Sequence, residues 1–313
     1  MYITLDQNVV KLLCCPLCKG KLSNIRGEFV CGDCSTIFPS KTVSLGNHEE
    51  NVYDFRIIHP PYCIPDYLKK WQEVQDEYIK CCEDLSKKDD LESYLSEIDS
   101  VKEIYTKEFT ISGSVLDVGG HQGRLRHYLL DGEFNIYVSL DPLLNVFDNI
   151  QSQKNLLIAY PCLSDPCNFL SGYAENLPFM SSSFDWVHMR SVIDHFVDPF
   201  LALKEAFRVL KPGGRIMIGL AIIENIPNTS KATKIVSLIK EKGILAAIAL
   251  INSRILNILK YRKMDDHNIR LSYSQLLDLL SISGFTIEKI HWQKPPFEFC
   301  VYISALKNIN KYS

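Results

Sequence analysis

Hydrophobic and polar positions change period several times along this chain, and each change predicts an element. From Ser114 onward, short apolar runs of strand length fall at 115–118, 136–140, 186–189, 215–220, 286–291 and 299–305. Stretches of helical spacing lie between them, notably 200–209 and 274–283. Such alternation predicts an α/β fold, a mostly parallel sheet covered on both faces. Further upstream, Trp71, Val74, Tyr78 and Ile79, then Leu91, Tyr94, Leu95 and Ile98, recur near helical spacing and predict a helical pair within 66–109. The preceding 46–65, with the run HPPYCIP, reads as a proline-punctuated linker. A last apolar stretch, 222–263, carries lysines around a wide apolar face. It reads as a helical insertion serving as a lid, a core or homodimer face, or a membrane-surface helix. Its most apolar run, from Gly243, is broken by Asn252, Ser253 and Arg254, short of the ~20 clean residues of a spanning helix.

Composition narrows the class. A chain of 313 residues with 46% hydrophobic content can bury one large core and a small second one. A formal net charge of −3 gives no general pull toward nucleic acid or an anionic membrane. The first fifteen residues lack a charged-then-apolar order and a small-residue cleavage site, so a soluble, cytoplasmic protein is expected.

Four of the eleven cysteines fall in the pattern Cys15-x-x-Cys18 and Cys31-x-x-Cys34. Each pair forms a knuckle that reaches one metal ion, and two knuckles supply the sulfur tetrahedron that structural zinc accepts. Pro16 and Gly32 suit the tight turns. Cys14 is the alternative to Cys15, but it would leave three residues between the members of the first pair. A closed site of this type has no open position for substrate, so the zinc is expected to be structural. Residues 1–45 are accordingly read as a zinc ribbon. The quartet resembles zinc-ribbon modules that precede some methyltransferase domains, and small zinc-ribbon activators of RNA and protein methyltransferases.

The stretch VLDVGGHQGRLRHYL at 115–129 reads as a buried strand, a glycine loop and a helix with Leu125, Tyr128 and Leu129 on one face. Gly119-Gly120-His121-Gln122-Gly123 fails the frame of a dinucleotide fingerprint, and no Lys-Ser/Thr follows for a P-loop. Asp117, at the strand end, would repel a pyrophosphate and suit a cationic ligand. Asp141 ends the next strand, where a carboxylate can accept hydrogen bonds from ribose hydroxyls.

With AENLPF…SFDWV and RVLKPGG further on, the chain resembles class I S-adenosylmethionine-dependent methyltransferases of the type 11 group over about 114–220, extended by the segment from His267. The resemblance implies a Rossmann-like, seven-stranded sheet with a reversed last hairpin, occupying 110–313 with the insertion at 222–266 as a lid. It also implies S-adenosylmethionine as cofactor, held by Asp117, Gly119, Gly120, Gly123 and Asp141. Ala174 and Glu175 would sit beside the adenine, and Arg190 just past the fourth strand. Two positions depart from the pattern: His121 stands where a glycine is usual, and Tyr173 where relatives often have an aspartate. His195 and His267 are the candidate bases on the acceptor side, with Asp194 and His188 weaker choices. The expected acceptor is a small molecule, glycan or lipid-type metabolite. Methylation of rRNA guanine N1 is the alternative enzyme reading, and a non-catalytic scaffold the third. Thirteen acids against seven Lys/Arg in 66–109 argue against a polyanionic acceptor.

Overall fold

The computed structural model describes residues 2–3, 5–45, 48–57, 66–129, 134–143, 153–222, 269–294 and 299–308. His267 and the 223–266 part of the predicted insertion lie outside the described residues.

The N-terminal part runs β1 (Tyr2–Ile3), α1 (Gln7–Val10), β2 (Leu22–Ile25), β3 (Glu28–Cys31), β4 (Ile37–Phe38), β5 (Ser40–Leu45) and β6 (His48–Asp54). It is followed by α2 (Asp66–Lys88) and α3 (Leu91–Glu103), the helical pair that the spacing predicts. Then come β7 (Gly113–Val118), β8 (Phe134–Leu140), α4 (Lys154–Ala159), β9 (Asn168–Ser171), β10 (Phe184–Arg190), α5 (Pro199–Val209), β11 (Leu210–Ala221), α6 (Tyr273–Ile282), β12 (Phe285–Trp292) and β13 (Cys300–Lys307). Asp198 caps α5 by accepting from Leu201 N–H, with Pro199 in its first turn. Ser272 and Gln275 form a capping box on α6.

Seven strands, β9-β8-β7-β10-β11-β13-β12, make the expected sheet, with β13 antiparallel between β11 and β12. The sheet does not stop there. β6 pairs in parallel with β9, and β1 and β5 flank β6, so ten strands form one sheet. Residues 48–54 of the predicted linker are therefore a strand. Val52, Tyr53 and Phe55 are buried beside β9, and an open edge with unpaired N–H and C=O groups would otherwise be left there. The predicted ribbon boundary at 45 thus cuts a β-hairpin. The remaining ribbon strands, β2-β3-β4, form a separate small sheet.

Ribbon and large sheet also share one core. Leu13 bridges Phe179, Cys14 N–H donates to Pro178 O, and Met180 N–H donates to Leu12 O. Lys19 reaches Glu205 at 2.8 Å, and Arg208 binds both carboxylate oxygens of Glu205 and the carbonyls of Leu177 and Phe179. Phe29 and Phe38 of the ribbon belong to the same apolar cluster as Phe179 and Phe184.

The helix predicted after the glycine loop is a five-residue 3-10 turn, Arg124–Tyr128. Its two buried residues, Leu125 and Tyr128, are three apart, the spacing that a 3-10 helix brings into line. The α2–α3 pair is fixed over the sheet by its corner: the Asp89 carboxylate accepts the N–H groups of Asn155 and Leu156 at 2.9 and 3.0 Å, capping α4 from a distant element.

Because ribbon and sheet share Phe179, Phe179→Ala is expected to destabilise by about 3–5 kcal/mol. Thermal unfolding should stay a single transition, whether followed by tyrosine absorbance or by reactivity of the ribbon thiols. Two separated transitions would show independent cores.

Candidate functional site

The C-terminal ends of β7, β8, β9 and β10 open into a cavity of ≈ 630 Å³, roofed by α2 and α3. It is lined by Asp117, Gly119, Gly120, Asp141, Ala174, Glu175, Arg190 and His195. Gly123 closes the loop just outside, with a left-handed φ of 80°. Seven of the eight expected cofactor residues thus line one cavity. Gly119 is left-handed at φ 68°, and a Cβ there would meet Val192 at 2.3 Å. At Gly120 a Cβ would fall 2.7 Å from the Asp117 carboxyl, so the backbone itself packs against that carboxylate.

Asp117 is buried yet fully engaged. Tyr137 donates its hydroxyl to Oδ2 at 2.5 Å, and His188 Nδ1 lies 2.7 Å from Oδ1. A carboxylate only accepts, so Nδ1 carries the proton. Nε2 is then free to accept from the Tyr105 hydroxyl at 2.8 Å. Burial pushes both tyrosine hydroxyls well above their ordinary pKa, which keeps them as donors. His188 faces Asp117 across the β7–β10 ladder. With both nitrogens occupied it is a positioning residue, not the base that its place near the site had suggested.

Asp141 is buried as well, and burial raises its pKa to about 6 against two backbone bonds, from His121 and Leu143. Each carboxylate oxygen keeps a lone pair for hydroxyls. One oxygen of Glu175 is committed to the N–H groups of Val197 and Asp198, so it ties the post-β10 turn to the wall. His195 therefore stands on the Glu175 side of the cavity, its ring 5.3 Å from Tyr78 and its carbonyl accepting from Trp71 Nε1.

His121 occupies the left-handed region at φ 51°, where a glycine would be unstrained. Its buried Nε2 has no protein partner, and burial drops its pKa to about 4. It thus presents a neutral imidazole to the cavity. Tyr173 packs edge-on against Trp71 of α2 at 5.5 Å.

The residues that sequence reasoning missed are mainly the roof and the relay. Trp71, Tyr78 and Tyr94 had been placed on helices, but nothing in their spacing tells a roof from a core stripe. Tyr137 and Ser139 alternate on β8 and point to the same face, a polar pattern on a buried strand that was a usable signal. The end of β6 also braces the site, since Arg56 pairs with Asp54 and donates to Pro142 O next to Asp141.

In the ribbon, the sulfurs of Cys15, Cys18, Cys31 and Cys34 lie within 4.8 Å of one another. The Cys15–Cys34 and Cys18–Cys31 sulfurs are 3.6 and 3.4 Å apart. That is close to the edge of about 3.8 Å for a tetrahedron with metal–sulfur bonds of ~2.3 Å, so the cluster fits a metal ion. Cys14 instead pairs with Lys21 across a β-bridge. The left-handed turn residues are Lys19 and Ser35, each following the second cysteine, at φ 61° and 60°. Gly32 is not forced: a Cβ there meets only one backbone oxygen, at 3.7 Å.

Residues 116–218 match the family described as "Methyltransferase domain", and residues 6–39 match "Trm112p-like protein". The chain carries a methyltransferase domain. An uncharacterised methyltransferase of Mycobacterium bovis is 32% identical over 102 residues, 33% of this chain and 37% of that protein. The ubiquinone/menaquinone biosynthesis C-methyltransferase UbiE of Hahella chejuensis is 33% identical over 121 residues, 36% of this chain and 47% of its own length. The alignments thus span less than half of these relatives. A chain of the solved complex containing the Haloferax volcanii Trm112 methyltransferase activator aligns with a TM-score of 0.47 and 14% identity, over 77% of this chain and all 100% of that one. No helix among the described residues is long and apolar enough to cross a membrane.

Two outcomes are expected of the methyltransferase domain. His188→Leu should weaken S-adenosylhomocysteine binding about tenfold or more in calorimetry, through loss of one charge-assisted bond to Asp117. His188→Asn, whose amide can replace Nδ1–H, should recover most of it. Equal losses in both would remove the positioning role. Independently, affinity should fall as pH drops through about 6, because a protonated Asp141 loses acceptor capacity. The sign follows from its raised pKa: a ligand bonded to the charged form binds best above that value. His121, neutral above about 4, adds nothing in this window. Asp141→Asn should flatten the profile between pH 5 and 7.5.

Proposed function

We propose that this chain methylates a small-molecule acceptor, with S-adenosylmethionine bound in the ≈ 630 Å³ cavity. The observation that carries the reading is the pair of buried carboxylates, Asp117 and Asp141, at the ends of adjacent parallel strands around a glycine loop. The bound cofactor supplies an electrophilic methyl group on a sulfonium. Asp117, held by Tyr137 and His188, offers a negative site to the cationic methionine end. Asp141 accepts from the ribose, Ala174 and Glu175 form the adenine wall with Tyr173, and α2 and α3 exclude water above them. His195 belongs to that adenine wall, and we assign it no proton transfer. His267 is kept as a candidate for the acceptor side on sequence grounds alone.

The four cysteines would hold one zinc ion with a structural role, since all four positions are filled by sulfur. Ribbon, β6 and α2 act as a built-in brace rather than a docking arm, given the core they share. The acidic 66–109 roof disfavours rRNA. We place the protein in the cytoplasm, where thiolate ligands stay reduced. A homodimer through 222–263 remains part of this reading.

The test is calorimetric titration of the zinc-loaded protein with S-adenosylmethionine and S-adenosylhomocysteine, repeated on Asp117→Ala and Asp141→Ala. Binding in the micromolar range, lost in both variants while circular dichroism is unchanged, is expected. A silent titration of the unaltered protein would reject the enzyme reading.

A further inference from the structure

Beyond Arg190 the cofactor cavity adjoins a second chamber of ≈ 510 Å³, which shares Ser93, Glu97, Arg190 and Ser191 with the first. Its wall is α3 on one side and the ends of β11 and β13 on the other. Ser93, Ser96 and Ser100 recur at three and four residues along α3, which places them on one helix face beside Glu97. Opposite them, Gly219 gives the chamber its shape: a Cβ there would meet the Tyr302 ring at 2.6 Å and Arg190 Cγ at 3.3 Å. The glycine lets the tyrosine lie against the arginine. Gln293 closes the end by donating to Ser100 O at 2.6 Å.

Charge at the junction is unbalanced. Arg190 and Arg124 both face the one carboxylate of Glu97, at 3.4 and 3.5 Å. Both distances are long, and one carboxylate cannot neutralise two guanidinium groups. The tyrosines around Arg190 do not supply the missing charge, because burial raises the pKa of Tyr105, Tyr128 and Tyr302. Nor does a base face the chamber among the described residues. Burial pushes Cys300 up to about 11, Glu97 is engaged by two cations, His188 is closed on both nitrogens, and His195 stands on the other wall.

The geometry points to this chamber as the acceptor subsite for a small monoanion, a carboxylate or an acidic enol or phenol that arrives ionised, gripped by Arg190. The inference rests on the methyltransferase reading. An anionic acceptor brings its own lone pair. Its new bond to the methyl carbon forms as the carbon–sulfur bond breaks toward sulfur, the two charges cancel, and no proton is left for a base. The α3 serines would hydrogen-bond the rest of the acceptor, and the size admits a single-ring compound.

The test uses three carboxylates, benzoate, cinnamate and hexanoate, each against its neutral amide. Saturation-transfer NMR and calorimetry are run on the full protein loaded with S-adenosylhomocysteine. At least one carboxylate is expected to bind about tenfold better than its amide, as for a hydrogen bond to a charged group. Arg190→Gln should abolish that preference. Ser96→Phe changes an exposed residue that lines only the second chamber, so it should block the carboxylate and leave S-adenosylhomocysteine binding intact. No carboxylate binding, equal binding of acid and amide, or a preference that survives both variants would overturn the inference. Absence of S-adenosylhomocysteine binding to the unaltered protein is a separate result, and it rejects the enzyme reading instead.

Discussion

A carboxylate cannot be taken out of water unless hydrogen bonds replace its hydration, and Asp117 is buried at the centre of this fold. Its two oxygens are satisfied by Tyr137 from β8 and His188 from β10, and His188 is in turn closed by Tyr105 beyond α3. One side chain therefore ties three adjacent strands to the roof helices. Removing any member would leave a buried polar group unpaired, so the relay is an all-or-none arrangement. The glycine loop depends on it too, because Gly120 packs onto the carboxylate where any side chain would collide.

The N-terminal module takes part in the same construction. It lengthens the sheet by three strands, covers the β9 edge, and sends Arg56 to the loop after β8. Its own core of Phe29, Phe38 and Tyr53 is too small to fold unaided, which explains a metal-fitting cluster at one end and shared packing with Phe179 at the other. The brace and the site are joined at the end of β6, where Asp54 pairs with Arg56 and Arg56 donates to Pro142 O.

The strands and the two site carboxylates were legible in the sequence because each depends on local pattern: short apolar runs, a glycine loop, an acid at a strand end. The four cysteines were legible for the same reason, with spacing alone choosing Cys15 over Cys14. What was not legible is pairing between distant segments. Nothing local to 48–54 tells that it will pair in parallel with 168–171, and proline-rich flanks suggested a linker. β9 itself, four residues long, was too short to announce a period. His188 was read for its titration range, whereas register across β7 and β10 decides its role by placing Asp117 opposite it.

The His121 departure fits the same electrostatic division of the site. A glycine would relieve the left-handed backbone, yet a neutral imidazole near Arg124 and Glu97 lines the cavity without adding charge. The cavity thus keeps a negative end at Asp117 and Asp141, and a positive end where Glu97 faces two arginines. A cationic donor and an anionic acceptor would each be drawn to the chamber of opposite charge and meet at the junction that Ser93, Glu97, Arg190 and Ser191 share. Opposite charges held on either side of one junction align two reactants without either having to lose a proton there. In the proposed reaction that arrangement serves a chamber with no available base among its described residues.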